Sequence, residues 1–176
     1  ELGDRIRQQT ILVSGLSKAY AMTGWRVGYT VASPAVIAKL GVVLSHATSN
    51  IAAVSQYAAL AALTGDQAVV ETMRQAFEKR LNTVYPELIA LPGFELPQKP
   101  QGAFYLFPKV AQAVRIAGFN TTEEFTAAVL AEAHVALVNG AAFGMPDHVR
   151  LSYATDLASL QEAIRRLQEF MNKHQA

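Results

Sequence analysis

Between Val70 and Leu91, apolar residues return every three or four positions: Val70, Met73, Phe77, Leu81, Val84, Leu88 and Leu91. That spacing matches one face of an α-helix and no other regular structure. It predicts a single amphipathic helix over residues 67–91, roughly 38 Å long at 1.5 Å per residue. Thr64-Gly65-Asp66 supplies a break and a cap before it, and Pro92-Gly93 stops it. The helix reads as a bridge between two bodies. Residues 1–65 belong to one domain, and residues 66–176, with the bridging helix at about 67–91, form a second, smaller one.

The flanking segments are shorter. Thr10-Ile11-Leu12-Val13-Ser14 runs without alternation and predicts a short, fully buried strand ended by Gly15. Residues 27–32 predict a second strand, closed by Ser33-Pro34. The connection of about a dozen residues is too short for a crossover helix, so the two strands should pair antiparallel. Residues 34–46 have helical spacing, with Val36, Ile37, Leu40 and Leu44 on one side and proline in the first turn. Ser49-Asn50 offers a cap to an alanine-rich helix over residues 51–63, whose small side chains favour close contact.

Beyond Gly93 the signals mix. Short strands are expected at 93–96, 103–107, 135–138 and 148–153. Thr121-Thr122-Glu123-Glu124 resembles a capping box opening a helix to about residue 133. Asp156 caps a last helix whose Leu160, Ile164, Leu167 and Phe170 make one stripe. Strands interleaved with helices indicate α/β or α+β.

Composition excludes several function classes. The formal net charge is +1 and the basic residues are scattered, so nucleic acid has little to hold. No apolar run approaches a membrane span; the segment 51–63 is too short and carries Gln56 and Tyr57. The absence of cysteine removes disulfides and thiolate chemistry and fits a reducing compartment, here expected to be the cytoplasm. His46, His134, His148 and His174 lack ligand spacing, so no metal site is expected. Glu1-Leu2-Gly3-Asp4-Arg5 is neither a signal peptide nor an initiator start, as expected of the interior of a longer protein.

The chemistry concentrates between the first two strands. Lys18 lies just past an apolar run, and Arg26 follows eight residues later, bracketed by Gly24 and Gly28. A lysine amine attacks carbonyls, and a planar guanidinium suits a phosphate. Taken singly, these are an ordinary loop lysine, a strand-start arginine and two turn glycines. Together they suit an aldehyde cofactor that carries a phosphate.

The run from Ser14-Gly15-Leu16-Ser17-Lys18 through Met22-Thr23-Gly24-Trp25-Arg26-Val27-Gly28-Tyr29 closely resembles the signature of class I and II aminotransferases, pyridoxal phosphate enzymes of the aspartate aminotransferase fold. The likeness continues in Gln101-Gly102-Ala103-Phe104-Tyr105-Leu106-Phe107-Pro108, in residues 135–144 and in His148-Val149-Arg150-Leu151-Ser152-Tyr153-Ala154. It implies the C-terminal part of a fold type I transferase: the end of the large cofactor domain plus the complete small α+β domain. It implies pyridoxal 5'-phosphate as cofactor, and an amino acid and a 2-oxo acid as substrates. Lys18 would be the lysine that condenses with the cofactor aldehyde and then moves the proton at the substrate Cα. Arg26 would grip the phosphate, with Ser14 or Ser17 as a minor contact, since the serine some relatives place three residues before the lysine is Gly15 here. Arg150 would fork onto the substrate α-carboxylate.

The resemblance also implies a homodimer with shared active sites, compatible with the alanine-rich helix. The family residues that hold the pyridine nitrogen and most of the phosphate precede the lysine, and only seventeen residues stand before Lys18. A chain of this extent would leave apolar surface of the large domain uncovered, and alone it would transaminate poorly or not at all. Many relatives carry proline before Gly140; Asn139 should loosen that turn. Trp25 is expected to pack beside the loop. One of Phe104 and Tyr105 should be core, the other near the site's entrance. A lyase or decarboxylase using the same cofactor, or a non-catalytic fragment, are the alternatives. The donor amino acid is left open.

Overall fold

A computed structural model describes residues 3–175. Glu1, Leu2 and Ala176 lie outside the described residues, and the reading of the chain's first residues falls partly there. The chain divides into two units, with the boundary between Thr72 and Met73.

The first unit holds α1 (Asp4–Gln8), β1 (Leu12–Gly15), β2 (Gly28–Val31), α2 (Pro34–Ala47), α3 (Ala53–Thr64) and the start of α4 (Ala68–Ile89). β1 and β2 pair antiparallel, Leu12 opposite Val31 and Gly15 opposite Gly28, as the short connection requires. The expected full burial is not found. Val13 is 76% exposed and Val31 59%. The reason is geometric: each strand has a single neighbour in the sheet, and a two-stranded ribbon cannot cover its own faces. α2 buries no residue, so the apolar side shared by Val36, Ile37, Leu40 and Leu44 is not a core face among the described residues. The core of this unit is small: Leu16, Met22, Val27 and Ala59. α3 starts after Ala52, without a side-chain cap, rather than at Ser49-Asn50. Ser49 instead takes a positive φ of 59° in the preceding turn.

α4 runs as the apolar period demands. Leu81, Val84, Leu88 and, just past its end, Leu91 are buried. It carries Pro86 inside it, on its exposed side; the ring removes one backbone bond, to the carbonyl four residues earlier, without ending the helix.

The second unit packs the rest of α4 with α5 (Ala111–Ile116), α6 (Thr122–Ala128) and α7 (Leu157–His174) around a three-stranded antiparallel sheet. β3 (Tyr105–Leu106) and β4 (Val138–Asn139) flank β5 (Val149–Ser152). Phe125, Val129, Val149, Leu167 and Met171 are fully buried in its core. The capping box forms: the Glu124 amide donates to Thr121 Oγ1 at 3.1 Å and the Thr121 amide to Glu124 Oε2 at 3.3 Å. Asp156 caps α7 through the Ser159 amide at 2.9 Å. The helix opened by Thr121 ends in a π turn over Val129–Ala133.

Three expected strands shrink, that at 103–107 to Tyr105 and Leu106. Residues 93–96 contribute one bridge, Glu95 opposite Lys109, and residues 135–138 pair only at Val138 and Asn139. α1 and α5 are short helices that periodicity did not reveal. No helix among the described residues is long and apolar enough to cross a membrane.

Candidate functional site

The loop between β1 and β2 is built from its ends inward. The Leu16 amide donates to the Val27 carbonyl at 3.4 Å, the rung beyond Gly15 and Gly28. Ser17 and Arg26 therefore stand at corresponding positions on the two arms of the loop's mouth, and Lys18 comes next, exposed. A Cβ on Gly28 would lie 2.8 Å from the Ser14 carbonyl oxygen, so only glycine lets the two backbones approach this closely. The loop tightens through turns in which the Tyr20 amide donates to the Leu16 carbonyl and the Ala21 amide to the Lys18 carbonyl, both at 3.2 Å. Buried Leu16 and Met22 fasten it to the small core.

Arg26 adopts a left-handed backbone, φ 51°, a conformation a non-glycine residue holds only when its surroundings fix it. Its guanidinium donates to the Thr23 carbonyl at 2.9 Å, which leaves further N–H groups for an anion. Ser14 and Ser17 make no side-chain hydrogen bond among the described residues. Trp25 is 43% exposed, and its backbone is tied to α3. The anchor is its carbonyl, which accepts from the buried Ser55 hydroxyl at 2.8 Å. Sequence reading missed Ser55; a lone serine in an alanine-rich helix was the available signal.

Arg150 lies on the central strand β5 of the second unit, opposite Val138. It is half-buried, and among the described residues its guanidinium makes no hydrogen bond or ion pair. Its neighbours are aromatic instead: the guanidinium carbon sits 4.4 Å from the ring centre of Tyr105 and 4.4 Å from that of Phe143. The register explains Tyr105. It pairs with Ser152, so it is the diagonal neighbour of Arg150 on the same sheet face. Leu106, the next residue, is core, while Phe104 packs at the core's edge.

Phe143 arrives on a 3₁₀ turn, Gly140–Phe143. Here Asn139 corrects the expectation of a loosened turn: its side chain accepts from the Ala141 amide at 2.8 Å and caps the turn. A Cβ on Gly140 would fall 2.2 Å from the Met145 carbonyl oxygen and 2.6 Å from that of His148. Gly140→Ala is therefore expected to destabilise the second unit by about 1–3 kcal/mol, read as a lower denaturation midpoint by tryptophan-independent circular dichroism. Beyond Arg150, Tyr153 is buried and its hydroxyl donates to the Ala103 carbonyl at 3.0 Å. Burial pushes that phenol up from its ordinary value, so it stays a neutral donor.

Comparison with known proteins identifies the family. The family model for aminotransferase class I and II matches residues 1–167. The chain belongs to this aminotransferase family. An asparagine–oxo-acid transaminase of Streptococcus mutans is 55% identical over 96% of this chain and 42% of its own length. An aspartate aminotransferase of Geobacillus stearothermophilus is 51% identical over 97% of this chain and 43% of its own. The crystal structure of aspartate aminotransferase from Rhizobium meliloti superimposes with a TM-score of 0.87 at 38% identity, over 94% of this chain and 42% of that one. The aminotransferase chain thus spans well under half the length of these relatives, and corresponds to their C-terminal part.

Proposed function

We propose that this chain is the C-terminal part of a pyridoxal-phosphate-dependent aminotransferase that moves an amino group from an L-amino acid to a 2-oxo acid. What supports the reading is the β1–β2 loop, which carries Ser17, Lys18 and Arg26 between two strands zipped as far as Leu16 and Val27, within a family match over residues 1–167.

The donor set fits the cofactor. Lys18 offers the amine an aldehyde needs, Arg26 retains N–H groups for a phosphate, and Ser17, with Ser14 on β1, offers hydroxyls. When bound, pyridoxal phosphate supplies the electron sink that makes the substrate Cα–H acidic. The chain's own residues do the remaining work assigned to it. Lys18 would hold the cofactor aldehyde through its amine and, when free, would serve as the general base and acid that moves the proton at the substrate Cα. Arg26 holds the phosphate through charge-assisted hydrogen bonds. Arg150 receives the planar α-carboxylate bidentately, a geometry lysine does not reproduce.

The names of the relatives favour aspartate or asparagine as amino donor. The family resemblance supports a homodimeric assembly in the whole protein. The cytoplasm remains the proposed location.

The test uses the chain with and without the rest of the protein. Borohydride treatment of the full-length protein with pyridoxal phosphate should add the pyridoxyl mass to the peptide containing Lys18. The 176-residue chain alone, given aspartate and 2-oxoglutarate, should show no steady turnover. Labelling at another lysine, with Lys18 unmodified, would overturn the assignment.

A further inference from the structure

We propose that Tyr105 and Phe143 are positioning residues that hold the Arg150 guanidinium ready for a carboxylate; this rests on the reading of Arg150 given above. A half-buried arginine in a central strand normally spends its donors on a carboxylate or on backbone carbonyls. Arg150 spends none among the described residues. Two ring faces, each 4.4 Å from the guanidinium carbon, are its side-chain neighbours here.

Rings and carboxylates do different things to a guanidinium. A carboxylate neighbour would consume the N–H fork and cancel the charge. A ring attracts the cation through its quadrupole and sheds water from it, yet accepts no strong hydrogen bond. The long side chain loses rotamer freedom before the ligand arrives, so less ordering remains to be done on binding. The N–H groups stay available for the two oxygens of a planar anion.

Two separate pieces of backbone deliver the rings. Tyr105 is fixed by the β3–β5 register, opposite Ser152. Phe143 is fixed by the turn that Asn139 caps and Gly140 permits. Phe143 is itself braced edge-on by Phe107, with ring centres 5.9 Å apart, and Phe107 lies against the His148 ring at 5.1 Å. The line of rings runs from the strand's start to the guanidinium. It is a support for one orientation of one side chain.

The amino acid and the 2-oxo acid both carry the α-carboxylate, so losing the support should weaken both substrates alike. In the full-length holoenzyme, Tyr105→Leu and Phe143→Leu should each raise both KM values about 3–5-fold, and the double variant roughly tenfold, as expected for loss of a cation–ring contact. Because the carboxylate is held in ground and transition states equally, kcat should change by less than about twofold. Phe143→Tyr, which keeps the ring, should restore the KM lost in Phe143→Leu. Phe143 is 46% exposed, so its leucine variant carries the test if the double variant does not fold.

Arg150→Ala is run beside them. If it raises KM while the leucine variants do not, the positioning role is wrong and the carboxylate role stands. If it leaves both KM values unchanged, the carboxylate role itself fails and this inference with it. A fall in kcat with unchanged KM in the leucine variants would also overturn the proposal.

Discussion

Replacing Lys18 by alanine in the full-length holoenzyme should lower transamination by at least about 10³-fold, at the upper end of what general acid–base groups contribute because the covalent role is lost as well. Lys18 is the sole lysine of the β1–β2 loop. No other amine there can both bond an aldehyde and carry a proton. Lys18→Arg separates those chemical duties from charge. The guanidinium keeps the positive charge but stays protonated and is not a nucleophile, so its activity should fall as far as that of the alanine variant. Single-turnover measurements with aspartate and 2-oxoglutarate, followed by absorbance, give the rates directly. Activity within tenfold of wild type in either variant would remove Lys18 from the reaction and return the loop to a structural role.

The variant should not unfold the protein, and the structure says why. Lys18 is exposed, and its loop is fastened at other residues: by buried Leu16 and Met22, by the Ser55 hydroxyl on the Trp25 carbonyl, and by the Tyr20 hydroxyl donating to Gln67 at 2.8 Å. A loop held at its neighbours keeps a reactive side chain in place without burying it.

Those fastenings mark the limit of what the sequence shows. The long helix was legible because seven apolar residues at helical spacing leave one solution, and α7 because its stripe and its aspartate cap agree. The antiparallel pairing of β1 and β2 followed from loop length alone. Burial of that ribbon did not. An unbroken β-branched run says that a strand is meant for a core, and says nothing of whether its covering layer belongs to the same stretch of chain. The strands near residues 95 and 138 shrank because short apolar runs carry little register information; their ladders close at one bridge and two pairs. The candidate side chains Lys18, Arg26 and Arg150 were legible as residue types in a family pattern. Their supports were not: Ser55, Tyr105 and Phe143 are ordinary until register and turns bring them to their targets. Asn139 reversed its expectation for the same reason. Its side chain accepts from the Ala141 amide and makes a cap that proline, with no side-chain acceptor, does not offer.

Arg150 gives the second large effect. Arg150→Ala in the full-length holoenzyme should lower kcat/KM for both substrates about 10–100-fold, since a hydrogen bond to a charged group contributes roughly 1.5–3 kcal/mol and each 1.4 kcal/mol is tenfold. The free guanidinium seen in the second unit makes that loss interpretable. Among the described residues no carboxylate is left stranded when Arg150 is removed, so within this chain the substitution leaves no unpaired buried charge. Stability should move little for the same reason, apart from the lost ring contacts. Arg150→Lys sharpens the test. The ammonium keeps the charge but replaces a planar fork by a point donor, and it sits poorly between two ring faces. Its kcat/KM should fall between wild type and alanine, with most of the loss in KM. A lysine variant equal to wild type would mean that only positive charge is needed there. A substrate shortened to remove the α-carboxylate, such as a simple primary amine, supplies the last control. The wild type and Arg150→Ala proteins should handle it equally, because the contact that distinguishes them has no partner on that molecule.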